Sequence, residues 1–172
     1  MKIPAKVQDV LNKQVNAEFW SAYMYLSMAA WFEEKGLKGF ANWMRVQFQE
    51  ETAHALKFFS YITERQGRAL LEPIAGVPTE WSSVLEVMED TYAHELKVTE
   101  LIYNCLEVAE KDKDRATMSM LQWYVDEQME EEANVDAIIN QLKLIGDNGQ
   151  AIYLLDKELA TRVFVDPTAA AV

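Results

Sequence analysis

A carboxylate stands in the middle of an otherwise apolar helical stripe. Between residues 38 and 66 there is no proline and, after Gly39, no glycine, and large apolar side chains recur at the spacing of an α-helix. Glu51 occupies a position in that stripe, and His54, three residues later, lies on the same helix face. A buried, ionised carboxylate is strongly destabilising unless it is paired or binds a metal. The rest of the chain must therefore supply what stabilises Glu51.

Helix breakers are rare in this sequence. It contains 6 Gly and 4 Pro in 172 residues, half of its residues are apolar, and no alternating strand pattern is evident, so we expect an all-α fold. The apolar stripes and turn residues predict helices at about 5–34, 38–66, 83–110, from a turn with Asp112 as N-cap to about 145, and about 150–162. We expect one domain over residues 1–172, comprising a bundle at about 5–145, the short fifth helix and a loose tail at 163–172.

The long connection between the second and third helices determines the topology. It contains Pro73, Gly76 and Pro78 and is unusually long for a turn between helices. Extended, about 16 residues span roughly 50–55 Å, more than the roughly 42 Å of the second helix. We therefore predict a crossover along the bundle, parallel second and third helices, and two antiparallel hairpins.

The first helix has more large apolar residues than one buried face requires. A second face should therefore contact another subunit. The residues concerned are Phe19, Trp20, Tyr23, Met24, Leu26, Met28 and Trp31.

Each of the four long helices carries a polar residue in its apolar stripe. At 1.5 Å per residue, Glu18 and Glu51 lie roughly 24 and 20 Å from the turn that joins their helices. Glu95, Gln128 and Glu131 lie roughly 22–27 Å from the other turn. With the second and third helices parallel, all of these side chains converge at mid-bundle.

The composition of this polar layer predicts a dinuclear metal site. Four carboxylates at one level would repel one another, so a fully ionised site without metal is implausible. Two divalent cations would balance the four glutamates, with His54 and Gln128 as neutral donors. Oxygen-rich sites with one imidazole suit redox-active iron, although manganese or zinc could also occupy them.

The net charge limits the partners of the chain. A formal charge of -12 argues against nucleic acid or an anionic membrane and favours cations. Residues 1–6 do not resemble the apolar segment of a signal peptide, and no apolar run is long enough to span a bilayer. The single Cys105 gives no disulfide framework and is expected to be a small core or interface residue. We expect a soluble, cytoplasmic protein.

The metal-site motif differs from the common di-iron pattern in one helix. That pattern has Glu-x-x-His on two helices, whereas here the second helix has Glu51-x-x-His54 and the fourth has Gln128-x-x-Glu131. Further motifs accompany this pair: Asn16–Ser21, Tyr25, Glu50–His54, His94-Glu95 and Trp123–Glu132. With these motifs, the chain from about residue 5 to residue 162 resembles prokaryotic non-haem ferritins.

The resemblance implies a ferritin-like bundle that stores iron. In such proteins a ferroxidase centre oxidises Fe(II) with dioxygen or hydrogen peroxide, and hydrated ferric oxide is stored in a shell of 24 subunits. It also implies that Glu18, Glu51 and His54 bind one iron. Glu51 would bridge to a second iron held by Glu95 and Glu131, with Gln128 close by and no haem.

Three further expectations concern residues around this centre. The resemblance implies a third iron site at Glu50, Glu127 and Glu130, whereas the alternative is a solvated acidic face. Tyr25 or Trp123 could supply a further electron, or could serve only in packing. His94 is expected to be exposed, because Glu95 takes the inward position.

Other di-iron bundles remain as alternatives. A haem-carrying bacterioferritin would be expected to have Met after the bridging Glu and a second Glu-x-x-His, but Thr52 follows Glu51 and the fourth helix has no His. A rubrerythrin-like di-iron oxidase or peroxidase would also have the second histidine, and a rubrerythrin a Cys-rich domain. A bundle without metal would leave the aligned polar residues unexplained.

Overall fold

The computed structural model describes residues 2–169, and over that range it forms a four-helix bundle with a fifth, shorter helix. The helices are α1 (Ala5–Glu34), α2 (Lys38–Glu64), α3 (Val84–Lys111), α4 (Arg115–Ile145) and α5 (Gly149–Leu159). α1 packs along α2, α3 packs along α4, and α5 packs chiefly on α2. The predicted all-α architecture is confirmed. Among the described residues, no helix combines the length and the apolarity that crossing a bilayer requires.

Several helix ends differ from the prediction. α2 ends at Glu64 rather than near Gln66, because Gln66 adopts a positive φ of 57°. Asp112 is not the N-cap of α4; it follows α3, and Asp114 caps α4 by accepting a hydrogen bond from the backbone N–H of Thr117. α5 ends at Leu159 rather than near 162, so the residues that follow it run as irregular chain.

The crossover runs along α1, as the extended length of the connection predicted. Asn12 donates to the carbonyl of Arg68 at 3.1 Å, and Trp20 Nε1 donates to the carbonyl of Gly76 at 3.4 Å. Further along, the hydroxyl of Ser27 donates to the carbonyl of Pro78 at 2.6 Å. Residue numbers increase together along α1 and along the crossover in these three contacts, so the crossover runs back to the α1–α2 turn. α3 starts there and runs parallel to α2.

The interior consists of two apolar clusters with a polar layer between them. The upper cluster lies towards the α1–α2 turn and includes Phe32, Phe40 and Met88. The lower cluster lies towards the α3–α4 turn and includes Phe58 and Ile102. This division leaves one level of the bundle at which buried polar side chains can meet.

Cys105 is buried in the lower cluster, as a small core residue would be. Burial raises the pKa of its thiol to about 12, so the sulfur stays protonated at neutral pH.

The second apolar face of α1 is narrower than predicted. Met24, Met28 and Trp31 are buried within the chain, and Trp31 packs edge-on against Trp81 of the crossover. Tyr23 and Leu26 remain exposed, at 52% and 40%. Three of the seven residues that the sequence assigned to a second face therefore belong to the core of the chain itself.

α5 docks on the start of α2 through a buried carboxylate. The backbone N–H groups of Gly39 and Phe40 donate to Oδ1 of Asp156 at 2.7 and 3.1 Å, whereas the N-cap residue Leu37 makes no side-chain cap. A Cβ at Gly39 would lie 1.6 Å from the carbonyl oxygen of Asp156. Only glycine allows this approach, and Asp156 caps α2 from a distant part of the chain.

We expect Asp156→Ala to lower the free energy of unfolding by about 1–3 kcal/mol, because two buried backbone N–H groups lose their acceptor. Differential scanning calorimetry of the metal-free protein would detect the change as a lower Tm. Glu158→Ala, an exposed position on the same helix, is the control. Equal Tm values for the two variants would show that the cap contributes nothing.

Candidate metal centre

The four long helices direct six polar side chains into the layer between the apolar clusters. Each is at most 5% exposed. They are Glu18 of α1, Glu51 and His54 of α2, Glu95 of α3, and Gln128 and Glu131 of α4. The sequence therefore predicted that these side chains are buried at one level, because helix periodicity and the antiparallel hairpins determine their positions.

Glu18, Glu51 and His54 form a compact group that could hold a cation. Each offers one ligand atom, and these atoms lie within 4.8 Å of one another. Both carboxylate oxygens of Glu51, Oε2 of Glu18 and Nε2 of His54 are buried and have no hydrogen-bond partner among the described residues. Buried polar atoms normally have a partner. The donor set, two carboxylates and one imidazole, fits a divalent iron ion.

Glu95 and Glu131 lie beside this triad and accept hydrogen bonds from uncharged side chains, namely amides and a tyrosine hydroxyl. The hydroxyl of Tyr25 donates to Oε1 of Glu95, and the amide of Gln128 donates to Oε2 at 3.1 Å. Gln47 donates from Nε2 to Oε2 of Glu131 at 2.8 Å. Each carboxylate is thus fixed at one oxygen or more while remaining close to Glu51, whose ionisation both oppose.

Gln47 is a residue of the site that the sequence analysis missed. It lies one helical turn before Glu51 and is fully buried. The available signal was its spacing, because a residue four positions before Glu51 lies on the same helix face.

Burial and repulsion between neighbouring carboxylates raise the pKa values of Glu18, Glu51 and Glu95. Burial raises the pKa of Glu18 and Glu51 well above 4.5, and repulsion adds to it, from Glu51 on Glu18 and from Glu95 on Glu51. Burial, followed by repulsion from Glu131, raises the pKa of Glu95 to about 8. Without a cation the site therefore retains protons at neutral pH, and bound cations would displace them.

The three outer glutamates are not equivalent. Glu127 Oε2 lies 4.0 Å from His54 Nε2, so it adjoins the triad. Glu50 is bound to Arg162 at 2.7 Å, and Glu130 is exposed. Burial raises the pKa of Glu50 to about 7 although Arg162 opposes the shift, and burial also raises that of Glu127.

His94 is not exposed, contrary to the prediction. It is partly buried between α1 and α3, its Nε2 lies 2.7 Å from the hydroxyl oxygen of Ser21, and its ring packs against Trp20. Burial, followed by Lys97, lowers its pKa to about 4. Large side chains of α1 cover a position that helix periodicity alone would leave open.

Trp123 lies at the edge of the polar layer. Its ring meets His54 edge-on at a centroid distance of 5.5 Å, and the ammonium of Lys57 lies 4.0 Å from the ring centroid. Tyr124 donates to the backbone carbonyl of His54 at 2.8 Å. These aromatic residues fix the position of the imidazole.

The chain matches known proteins over most of its length. Residues 8–145 match a family described as Ferritin-like domain. A bacterial non-heme ferritin of Staphylococcus saprophyticus is 46% identical over 156 residues, 91% of this chain and 93% of that protein. One of Bacteroides fragilis is 42% identical over 160 residues, 93% of this chain and 99% of that protein.

Solved structures give the same result. An engineered closed form of the Archaeoglobus fulgidus ferritin superposes with a TM-score of 0.94 at 50% identity, over 95% of this chain and 100% of that one. The open pore ferritin of the same archaeon has a TM-score of 0.93 at 50% identity, over 94% and 98% of the two chains.

We expect the metal-free protein to lose stability as the pH rises from about 4.5 to about 8, the interval between the ordinary pKa of Glu95 and its value in the fold. Because the folded carboxyl binds its proton more tightly than the unfolded one, the folded state holds more protons in this interval, and raising the pH favours unfolding.

Urea denaturation of the metal-free protein across this pH range would measure the effect. Glu95→Gln should reduce the slope, whereas Glu100→Gln, an exposed change on the same helix, should leave it unchanged. Stability that is independent of pH in the unmodified protein would contradict the prediction.

Proposed function

This chain belongs to the ferritin family of iron-storage proteins, and we propose that it oxidises Fe(II) at a two-metal centre between its four long helices. The observation that carries the proposal is the set of buried, unpartnered ligand atoms on Glu18, Glu51 and His54. Leaving such atoms without a partner is costly, and a cation removes that cost. Iron is here the substrate and the stored cargo.

The first Fe(II) would bind to Glu18, Glu51 and His54. Gln14 donates to Oε1 of Glu18 at 2.9 Å, which orients that carboxylate and leaves Oε2 for the metal. His54 is oriented by the aromatic rings that pack against it. These neighbours reduce the reorganisation needed when the ion binds.

The second Fe(II) would bind to Glu95 and Glu131, with Glu51 bridging the two ions. Both oxygens of Glu51 are free to bridge. The amide N–H of Gln128 donates to Glu95 and so orients that carboxylate. The amide oxygen of Gln128 is a further atom that could bind the metal. A glutamine at this position adds no fifth negative charge to the layer.

Oxidation at this centre transfers one electron from each Fe(II). Dioxygen takes up two electrons and two protons to give hydrogen peroxide, or hydrogen peroxide takes up two electrons and two protons to give water. Carboxylates favour the product, because hard anionic oxygens stabilise Fe(III) more than Fe(II). The carboxyl groups that bind protons in the metal-free site release them as the ions bind.

Tyr25 is better placed than Trp123 to supply a further electron. Its hydroxyl donates directly to Glu95, so the carboxylate can take the phenolic proton when the ring is oxidised. Trp123 packs nearly perpendicular to the ring of His54, and no hydrogen bond joins it to a carboxylate of the layer among the described residues. We therefore assign the redox role to Tyr25 and a packing role to Trp123.

A third iron position would lie at Glu50, Glu127 and Glu130. Glu127 lies beside His54, and Glu130 is one helical turn away on α4, so ions could pass along α4 from the oxidising centre. The ferric product would be stored as hydrated oxide in a homo-oligomeric shell, which we expect to hold about 24 subunits, as in similar ferritins. The exposed Tyr23 and Leu26 are available for contacts between subunits.

A haem-binding or rubrerythrin-like function is less well supported. The curated relatives are named non-heme ferritins, and α4 contains no histidine for a second Glu-x-x-His motif.

The double variant Glu51→Ala, His54→Ala should lose the fast phase of aerobic Fe(II) oxidation, by at least about 100-fold, because the bridge and the only imidazole donor are removed. Stopped-flow absorbance of the ferric product measures the rate. Light scattering checks that the particle still assembles.

Glu100→Ala is the matched control, since it removes an exposed carboxylate from α3. If the double variant assembles and keeps the rate of the unmodified protein, oxidation takes place elsewhere.

A further inference from the structure

One of the outer glutamates, Glu50, already forms an ion pair with a side chain of the protein, the guanidinium of Arg162. Nη2 of Arg162 donates to Oε2 of Glu50 at 2.7 Å, and the two side chains are 22% and 15% exposed. The guanidinium also lies over the ring of Trp43, 4.7 Å from its centroid. Three features, the ion pair, the ring contact and partial burial, hold Arg162 in place against α2.

The same guanidinium reaches the metal centre through one buried amide. Nη1 of Arg162 donates to Oε1 of Gln47 at 2.5 Å, and Nε2 of Gln47 donates to Oε2 of Glu131 at 2.8 Å. A guanidinium has only donors, so it can face only the oxygen of an amide. Arg162 therefore fixes the orientation of Gln47 and directs its NH₂ group to Glu131.

The backbone around Arg162 is anchored independently of its side chain. Asn42 donates to the carbonyl of Arg162 at 2.9 Å and to that of Leu159 at 3.3 Å. Asp156, six residues before Arg162, caps the start of α2. Because α5 ends at Leu159, Arg162 lies in irregular chain whose side chain can extend along α2 to Glu50.

We propose that Arg162 is a positioning residue that competes with metal ions for Glu50 and holds Glu131 in place through Gln47. The proposal rests on the proposed function, since it assumes that Glu50 is a ligand of the third iron position. The guanidinium holds Oε2 of Glu50, so an incoming cation must compete with it for that oxygen. The third position is therefore weaker than its carboxylates alone would make it, and it fills after the two-metal centre.

Removing the competing charge should increase the metal affinity of the outer position, whereas loss of structure would decrease it. Arg162→Gln removes the positive charge, so Glu50 is left partly buried without its partner and should bind a metal more tightly. We expect about three- to tenfold tighter binding at the outer position. A variant that merely disturbed the fold would bind metal more weakly at every position.

Arg162→Lys separates the two contacts. Lysine keeps the charge near Glu50 but lacks the planar fork that contacts Gln47 and Glu50 together. We expect the outer position to keep the affinity of the unmodified protein. Binding at the two-metal centre should weaken by about two- to threefold, because Gln47 can then rotate away from Glu131.

The experiment is calorimetric titration of the full-length, assembled, metal-free protein with Zn(II), which binds oxygen and nitrogen donors and is not oxidised. Arg45→Gln, which breaks the exposed pair between Arg45 and Glu33, is the control for loss of one positive charge. A second pair of variants, Glu50→Gln and Glu50→Gln with Arg162→Gln, leaves no unpaired carboxylate and should fold in every case.

In the Glu50→Gln background, Arg162→Gln should leave the outer position unchanged, whereas in the unmodified background it should tighten binding there. Equal affinities for Arg162→Gln and the unmodified protein, or weaker binding at all positions, would overturn the proposal. If the unmodified protein binds no Zn(II) in the bundle, the proposed function fails first, and that result is distinct from failure of the Arg162 competition.

Discussion

The cost of burying carboxylates is the constraint on which this structure depends. Glu18, Glu51, Glu95 and Glu131 lie at one level between two apolar clusters, where burial and repulsion from neighbouring carboxylates oppose the ionisation of Glu18, Glu51 and Glu95. Neutral donors from Gln14, Gln47 and Gln128, together with the hydroxyl of Tyr25, satisfy some of their oxygens but add no positive charge. The layer can be stable either with protons or with cations, and iron storage uses the second state.

Much of this could be predicted from the sequence, because the relevant information is periodic. Each apolar stripe contains a glutamate near the middle of the bundle, so helix length alone predicts the level of Glu18, Glu51 and Glu95. The length of the crossover predicts the direction of α3. Local chemistry was less decisive at the helix ends. Asp112 and Asp114 both suit an N-cap, and only the backbone of the turn, with Lys113 at a positive φ of 55°, selects Asp114.

Features that depend on distant parts of the chain were not predictable. His94 is covered by the neighbouring side chains of α1, and the apolar periodicity of α3 contains no information about those side chains. Asp156 accepts from the backbone N–H of Gly39, 117 residues earlier, and Arg162 pairs with a glutamate 112 residues away. Both contacts follow from α5 docking at Gly39, where the absence of a side chain lets two backbones meet. The fifth helix thereby connects the end of the chain to Glu50 and, through Gln47, to Glu131.

The most direct test of the central claim is a crystal structure of the protein soaked anaerobically in Fe(II), with anomalous scattering used to locate the metal. We expect one iron within bonding distance, about 2.0–2.2 Å, of Glu18, Glu51 and His54, and a second bound to Glu51, Glu95 and Glu131. Iron found only on surface glutamates, with the buried layer empty, would contradict it.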